Sequence, residues 1–343
     1  MPSKTKPSYP NVSFIIPAYN TAGVIEGCLD SIATAIKQVR VKDWEVLVAD
    51  DGSTDGTKAI IKDYAKKMPV RIVTYGKNRG RIAARKLGLD KAKHDMIVLI
   101  DTKTLISEDA FVFLAQQYKS HPERQIWCPY VNSDRSNIVA AFNEAQVRLI
   151  WRRYLDKPRL VGFGIKEFDF YPKGGTCIVA PKALLLDSYS QFDLSENLKH
   201  ASDDIPLLRY MSAKTKIWLS PKFSCFYRAR TGLNQFIPWV YSRGKLFTDG
   251  HLRWGTRFSK YIVGLLLAPF IYIGLSIYQP WFLLAPIVIW ILGLLFLAFR
   301  LPKQNWMAVL SLSWIYTVAF MSGLYVGTWS KLKKRFANQP AAA

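Results

Sequence analysis

Cysteine is scarce and scattered. Cys28, Cys128, Cys177 and Cys225 are the whole complement, and no two form a C-x-x-C pair. Each sits in an apolar run, which predicts buried thiols in a reducing compartment. The first ten residues are polar and rich in Pro and Lys, without the apolar core of a secretory signal. That absence predicts a globular part that stays in the cytoplasm. Acidic residues are also few. There are 25 Asp and Glu against 47 Lys and Arg, a formal charge of +22 with a pI near 9.8. Such a balance calls for a polyanionic neighbour. No zinc-finger, RNA-recognition or helix-turn-helix signature accompanies the charge, so nucleic acid is not the expected partner.

The basic residues thicken at Arg228, Arg230, Arg243, Lys245, Arg253, Arg257 and Lys260, against the single acid Asp249. Charge has vanished altogether from Tyr261 to Phe299. At about 1.5 Å per residue that run is long enough for roughly two crossings of a ~30 Å hydrocarbon core, with Gln279-Pro280 as the turn. Trp306 to Trp329 is a further uncharged stretch, closed by Lys331, Lys333, Lys334 and Arg335. Basic residues flanking apolar spans predict attraction to anionic membrane lipids. Three full crossings would put the last basic cluster on the far side from the first. Two crossings plus one re-entrant segment would keep both on one side.

What is present before residue 260 is an alternation of strands and helices. Val12–Ile16, Trp44–Ala49, Val70–Tyr75 and Met96–Ile100 read as strands. Helical spacing over Val24–Ile36, Gly56–Met68 and Arg79–Leu89 separates them; Asn20 or Thr21 is expected to cap the first of these helices, and Ser107 the next one along the chain. Strands alternating with helices imply a mostly parallel sheet with right-handed crossovers. Its carboxyl edge then collects Pro17-Ala18-Tyr19-Asn20, Asp50-Asp51 and Asp101, where open α/β sheets bind ligands. Farther on, Gln125–Val131 and Lys216–Leu219 read as strands. Gly174-Gly175 forms a turn into the strand Thr176–Ala180, and Asp203-Asp204 opens a helix capped by Ser202.

The segments VSFIIPAYN (12–20), VLVADDGSTDGT (46–57), NRGRIAARKLGL (78–89) and IVLIDTKT (97–104) occur in this order at strand ends. With GGTCIVAP (174–181), SDDIPLLRYM (202–211) and RARTGLNQFIPWVYSRGKLF (228–247), they resemble the family 2 glycosyltransferases. These are inverting, nucleotide-sugar-dependent enzymes of GT-A fold, and the resemblance covers most of residues 11–250. It implies that Asp50 or Asp51 accepts N–H groups of the base and that Pro17, Ala18, Tyr19 and Asn20 wall the base. Arg85 would reach the diphosphate, and Gly175 would admit the donor or acceptor to close backbone approach. Asp101 falls where the family carries the first carboxylate of D-x-D, for Mg²⁺ or Mn²⁺. Here the chain departs from the pattern, because the third position is Lys103, whose ammonium is itself a candidate for neutralising the diphosphate. Asp204 stands as the candidate general base, with Asp203 orienting it or binding the acceptor. Arg228, Arg230 and Arg243 are placed either on the diphosphate or an anionic acceptor, or at the membrane surface. The arm lacks the Q-x-x-R-W element, so processive polymer synthesis is not expected.

The expected organisation is a GT-A domain over 1–225, a basic interface segment over 226–260, a membrane region over 261–330 and a basic tail over 331–343. The membrane region holds two to three helices, near 261–278, 281–299 and 306–329. The expected activity is transfer of one sugar from a nucleotide-diphosphate sugar to a hydroxyl of a lipid-linked or growing glycan, at the cytoplasmic face of the inner membrane. A polyprenyl phosphate is the alternative acceptor, as in the dolichol-phosphate-mannose synthase branch. A membrane scaffold with a decayed site is the reading from another class.

Overall fold

The computed structural model describes residues 6–133, 135–173, 175–192, 204–229, 232–251 and 259–337. Its chain forms two units, Met1–Asp134 with Arg153–Ala229, and Arg135–Arg152 with Arg230–Ala343.

The first unit begins β1 (Val12–Ala18), α1 (Ile25–Ile36), β2 (Trp44–Asp50), α2 (Thr57–Tyr64), β3 (Val70–Thr74), α3 (Arg81–Lys91) and β4 (Met96–Ile100). It continues β5 (Thr104–Ile106), α4 (Ala110–Ser120), β6 (Ile126–Ser133), the end of α5 (Ile138–Leu155), β7 (Val161–Phe163), β8 (Cys177–Pro181), α6 (Lys182–Tyr189), α7 (Asp204–Lys214) and β9 (Ile217–Tyr227). The strands make one sheet in the order β3-β2-β1-β4-β8-β6-β9-β5, with β7 beside β9. The first four strands run parallel, in a register that pairs Ala18 with Asp50 and Ile15 with Leu99. β8 runs antiparallel to β4 and β6, so the sheet is mixed as well as mostly parallel.

The pleat explains the two cores. Val12, Phe14, Ile16, Val46 and Val48 face one layer with α1 and α4, while Ile15, Leu47, Ile97 and Leu99 face the other with α3. All nine are completely buried, and each such side chain stabilises the fold by about 1.5–3 kcal/mol. α3 lies close over β1 because Gly88 has no Cβ to meet the Ile15 side chain.

Some local expectations shift. Asn20 and Thr21 do not cap α1 through their side chains; Thr21 instead accepts the Ile25 N–H at its carbonyl, 3.0 Å. Ser107 does not cap α4, because its hydroxyl pairs with that of Ser224 at 2.8 Å. β9 runs on through Pro221 to Tyr227 instead of ending at Leu219, since β5 and β6 both pair with its second half.

The second unit contains the start of α5 together with α8 (Leu233–His251), α9 (Ser259–Tyr278), α10 (Ala285–Arg300) and α11 (Trp306–Ala337). Among the described residues three stretches are long and apolar enough to cross a membrane: Lys260–Tyr278, Pro280–Leu297 and Trp306–Lys331. Along the first two nearly every side chain is exposed, Ile277 and Trp281 by 81% and 80%. α8 and α11 pack backbone against backbone. A Cβ on Gly323 would strike the Tyr241 carbonyl, one on Gly327 the Lys245 carbonyl, and one on Gly244 the Phe320 carbonyl. Tyr241 therefore faces Gly323 and Lys245 faces Gly327, which makes the two helices parallel. Where α11 begins, the carboxylate of Glu144 is met by Asn305 at 2.8 Å, Arg135 at 2.6 Å and Arg148 at 3.4 Å.

Candidate active site

The carboxyl edge of β1, β2 and β4 is where the sheet exposes polar groups, and the loop after β2 is tied into that edge. Gly52 adopts φ +83°, and a Cβ there would meet the backbone of Lys77 and Asn78 at 2.9–3.1 Å. Asn20, also left-handed at φ 51°, accepts the Thr54 N–H at 2.9 Å and donates its own amide to the Ser53 hydroxyl at 3.0 Å. Asp55 clamps the other side of the loop. The Thr57 hydroxyl, then the Ala22 and Thr57 N–H groups, holds its carboxyl below the usual range.

The two carboxylates after β2 have different environments. The Asp50 side chain has no exposure; it accepts the Ser53 N–H at 3.1 Å and lies 3.4 Å from the Lys58 ammonium. Asp51 accepts the N–H groups of Arg79 at 2.7 Å and Gly80 at 2.9 Å, one on each oxygen, at the entrance to α3. A carboxylate offers about four lone-pair sites, so Asp51 keeps capacity for further donors. Tyr19 stands beside this edge, 49% exposed.

Arg85 lies buried beneath the edge. One Nη2 donates at 2.7 Å to Asp101 Oδ1 and at 2.7 Å to the Gly175 carbonyl. The Gly175 N–H in turn donates to Asp204 Oδ2 at 3.1 Å, and the Ile205 N–H caps Asp204 Oδ1 at 2.9 Å. Asp101, Arg85, Gly175 and Asp204 thus form one connected network. Gly175 is required in it, because a Cβ would come within 2.8 Å of Asp204 Cβ and 3.1 Å of Arg85 Nη1. Thr176 locks the turn to β4, accepting the Asp101 N–H at 2.9 Å and the Thr104 hydroxyl at 3.1 Å.

Lys103 and Arg228 are neighbours across the β5–β9 pair, with the Arg228 N–H donating to the Lys103 carbonyl at 3.0 Å. The Arg228 guanidinium lies over Gly27. Arg243 belongs to the second unit, where it stacks over Trp239 at 5.0 Å. Asp203 and Arg230 lie outside the described residues.

Burial pushes the thiols of Cys28, Cys177 and Cys225 well above their ordinary range, which excludes them as thiolate nucleophiles. Among the described residues no three of His, Cys, Asp and Glu come together as metal ligands. Asp101 is the carboxylate at the sheet edge, and one of its oxygens meets Arg85. That donor set fits a divalent ion only if substrate phosphate oxygens complete most of its shell, a manner in which Mg²⁺ is commonly held.

Sequence reading found the edge residues but missed those that hold them: Ser53, Asp55, Thr57 and Thr176. The D-x-T spacing of Asp55 and Thr57 was the one signal on offer.

A mixed sheet with its polar loops gathered at the carboxyl ends of parallel strands defines a GT-A-type fold. Residues 13–169 match the family model of Glycosyl transferase family 2, and the chain carries a family 2 glycosyltransferase domain. It is 27% identical over 112 residues to the poly-beta-1,6-N-acetyl-D-glucosamine synthase of Staphylococcus epidermidis, covering 33% of this chain and 26% of that one. It is 31% identical over 124 residues to a dolichyl-phosphate beta-glucosyltransferase of Trichomonas vaginalis, covering 35% and 37%. The chain therefore spans only about a quarter to two fifths of these relatives' lengths. A mannosyltransferase from Pyrobaculum calidifontis, solved with GDP-Man and Mn²⁺, shares the fold with a TM-score of 0.53 at 17% identity, over 96% of this chain and 91% of that one.

Proposed function

We propose that this glycosyltransferase is a membrane-bound, inverting enzyme that moves one sugar from a nucleotide-diphosphate sugar to a hydroxyl of a lipid-linked or growing glycan. The observation that carries this reading is the network joining Asp101, Arg85, Gly175 and Asp204. It holds a carboxylate at a helix start beside the edge that receives the donor. An inverting displacement needs a base opposite the leaving group, and Asp204 takes the acceptor hydroxyl proton as the new glycosidic bond forms. Asp203 is assigned to orienting that base or the acceptor. Asp51, with lone pairs to spare, accepts from the base of the nucleotide, and Asp50 holds the loop. Pro17, Ala18, Tyr19 and Asn20 line the base site, and Gly175 lets the backbone approach the donor. Arg85 acts from beneath by fixing Asp101, while Lys103 and Arg228 supply positive charge for the departing diphosphate.

A divalent ion, Mg²⁺ or Mn²⁺, would be held by Asp101 together with donor oxygens, adding neutralisation of the leaving group.

The exposed apolar helices support a multi-pass membrane location. The parallel pairing of α8 and α11 sets Lys245 beside Gly327, about one helical turn from Lys331. Both basic stretches then share one face of the membrane, which favours an even number of crossings between them and a catalytic unit on the cytoplasmic side. Arg230 and Arg243 are assigned to that anionic surface.

The dolichyl-phosphate relative favours a second acceptor, a polyprenyl phosphate, whose oxygen is already nucleophilic and needs no base. Full-length protein in detergent, given labelled UDP- and GDP-sugars with either a lipid-linked saccharide or polyprenyl phosphate, separates the two. Label in the lipid-linked saccharide supports the first reading, and label in polyprenyl phosphate alone replaces it. Intact, unhydrolysed donor in every mixture would indicate a decayed scaffold.

A further inference from the structure

The first unit holds a second concave site, distinct from the edge just described. It is a cavity of about 280 Å³ lined by Arg153, Tyr154, Arg159, Glu167, Phe170 and Tyr171. We propose that it is an acceptor subsite that takes a phosphate-bearing saccharide or polyol unit. The assignment as acceptor subsite rests on the glycosyltransferase reading above.

The walls are built before any ligand arrives. Tyr171 stacks on Phe163 with centroids 5.1 Å apart and planes at 18°, and meets Tyr154 edge-on at 6.0 Å. Tyr154 is 1% exposed, and its hydroxyl donates to the Arg159 carbonyl at 3.0 Å, which fixes the loop carrying that arginine. Next to the cavity, Arg209 pairs with Asp169 at 2.9 Å and lies over Phe168. That neighbouring cation has a carboxylate partner, whereas Arg153 and Arg159 make no ion pair among the described residues, and Arg159 Nη1 donates only to the Lys157 carbonyl at 3.3 Å.

The lining chemistry names the ligand class. Aromatic faces such as Tyr171 and the half-exposed Phe170 offer an apolar platform for the C–H face of a ring or polyol. Two guanidinium groups beside them match the planar, bidentate geometry of a phosphate. A neutral sugar could accept hydrogen bonds from the two guanidinium groups but would leave their charge uncompensated. Glu167 is the one acid among the described lining residues, and one of its oxygens already accepts the Gly164 N–H at 3.2 Å. The volume suits one small unit and falls below the usual range for a whole ligand, as expected for one subsite of a longer acceptor. Tyr171 stands four positions before Gly175, hence at most about 14 Å from it along the chain. That places the pocket within reach of the same acceptor whose hydroxyl meets Asp204.

The test uses the full chain in detergent, with UDP and GDP in excess to fill the donor site. Saturation-transfer NMR compares glucose 1-phosphate with methyl glucoside, and flotation compares phosphatidylglycerol with phosphatidylcholine vesicles. We expect glucose 1-phosphate to bind at least tenfold tighter than methyl glucoside. R153A and R159A should each weaken it at least fivefold, and R153K and R159K should recover only part of the affinity, since lysine keeps the charge and loses the bidentate fork. Equal binding of the two sugars overturns the proposal, as does affinity unchanged in both alanine variants. A loss in those variants seen only with phosphatidylglycerol vesicles overturns it too, since the arginines would then serve a lipid headgroup. Donor hydrolysis by the unmodified chain is followed in parallel. Its absence removes the transferase reading, whereas the sugar-binding comparison judges the pocket independently.

Discussion

Arg85 Nη2 stands 2.7 Å from Asp101 Oδ1 and 2.7 Å from the Gly175 carbonyl, with the arginine side chain 1% exposed. One buried cation thus sets the position of the carboxylate that follows β4 and of the turn that touches Asp204. R85A would remove this shared donor from both the carboxylate and the carbonyl. Removing one partner of a buried pair costs about 3–5 kcal/mol, and the low end is expected because Asp101 keeps 21% exposure. Chemical denaturation of the variant measures the loss, and wild-type stability would refute the structural role.

Gly175 is predicted to tolerate no Cβ. In G175A the new methyl group would have to displace Asp204, whose Cβ lies 2.8 Å away. A shift of about 1 Å in a reacting group costs on the order of 10²-fold in rate. The turnover number should therefore fall by about that factor while nucleotide affinity, measured by calorimetry, stays close to wild type.

D204N removes the proposed base and keeps the volume. General-base loss is worth about 10²–10⁴-fold, so transfer should drop within that range with donor binding retained. Unimpaired transfer would exclude Asp204 and favour an acceptor that is already ionised.

Glu144 supplies a pH signature in the second unit. Burial works to raise its pKa, but the hydrogen bonds from Asn305 and Arg135 and the charges of Arg135 and Arg148 hold it below its ordinary value. A carboxyl whose folded pKa is depressed contributes stability above its unfolded pKa, near ~4.3. That contribution fades as pH falls through the lower folded value. Thermal melting of wild type should fall across this window, and E144Q should be less stable at neutral pH with a flatter acid dependence.

Much of the sheet's carboxyl edge was legible in the chain. β-rich runs that stop at Pro17, Asp50 and Ile100 can only be parallel strands if helices separate them, and parallel strands put their ends on one edge. The apolar stretches after residue 260 were equally plain, because charge is missing from them entirely. The roles of Asp50 and Arg85 were not legible. Two adjacent acids look alike in sequence, yet the loop turns one inward to Ser53 and Lys58 and leaves the other at the mouth of α3. Arg85 reads as a solvated or phosphate-facing helix residue until its burial is known.

The amino-acid sequence by itself determined the strand–helix alternation, the acidic strand ends and the apolar C-terminal helices, because these follow from local periodicity and the absence of charge. Only the tertiary structure decided which groups meet. It joined Arg85 to Asp101 and Gly175 over sequence separations of 16 and 90 residues. It gathered Arg153, Arg159 and Tyr171 around one cavity, and laid α8 parallel to α11 through Gly244, Gly323 and Gly327. These contacts depend on close packing between distant segments, and apart from the G-x-x-x-G spacing of Gly323 and Gly327 no local pattern in the chain points to them.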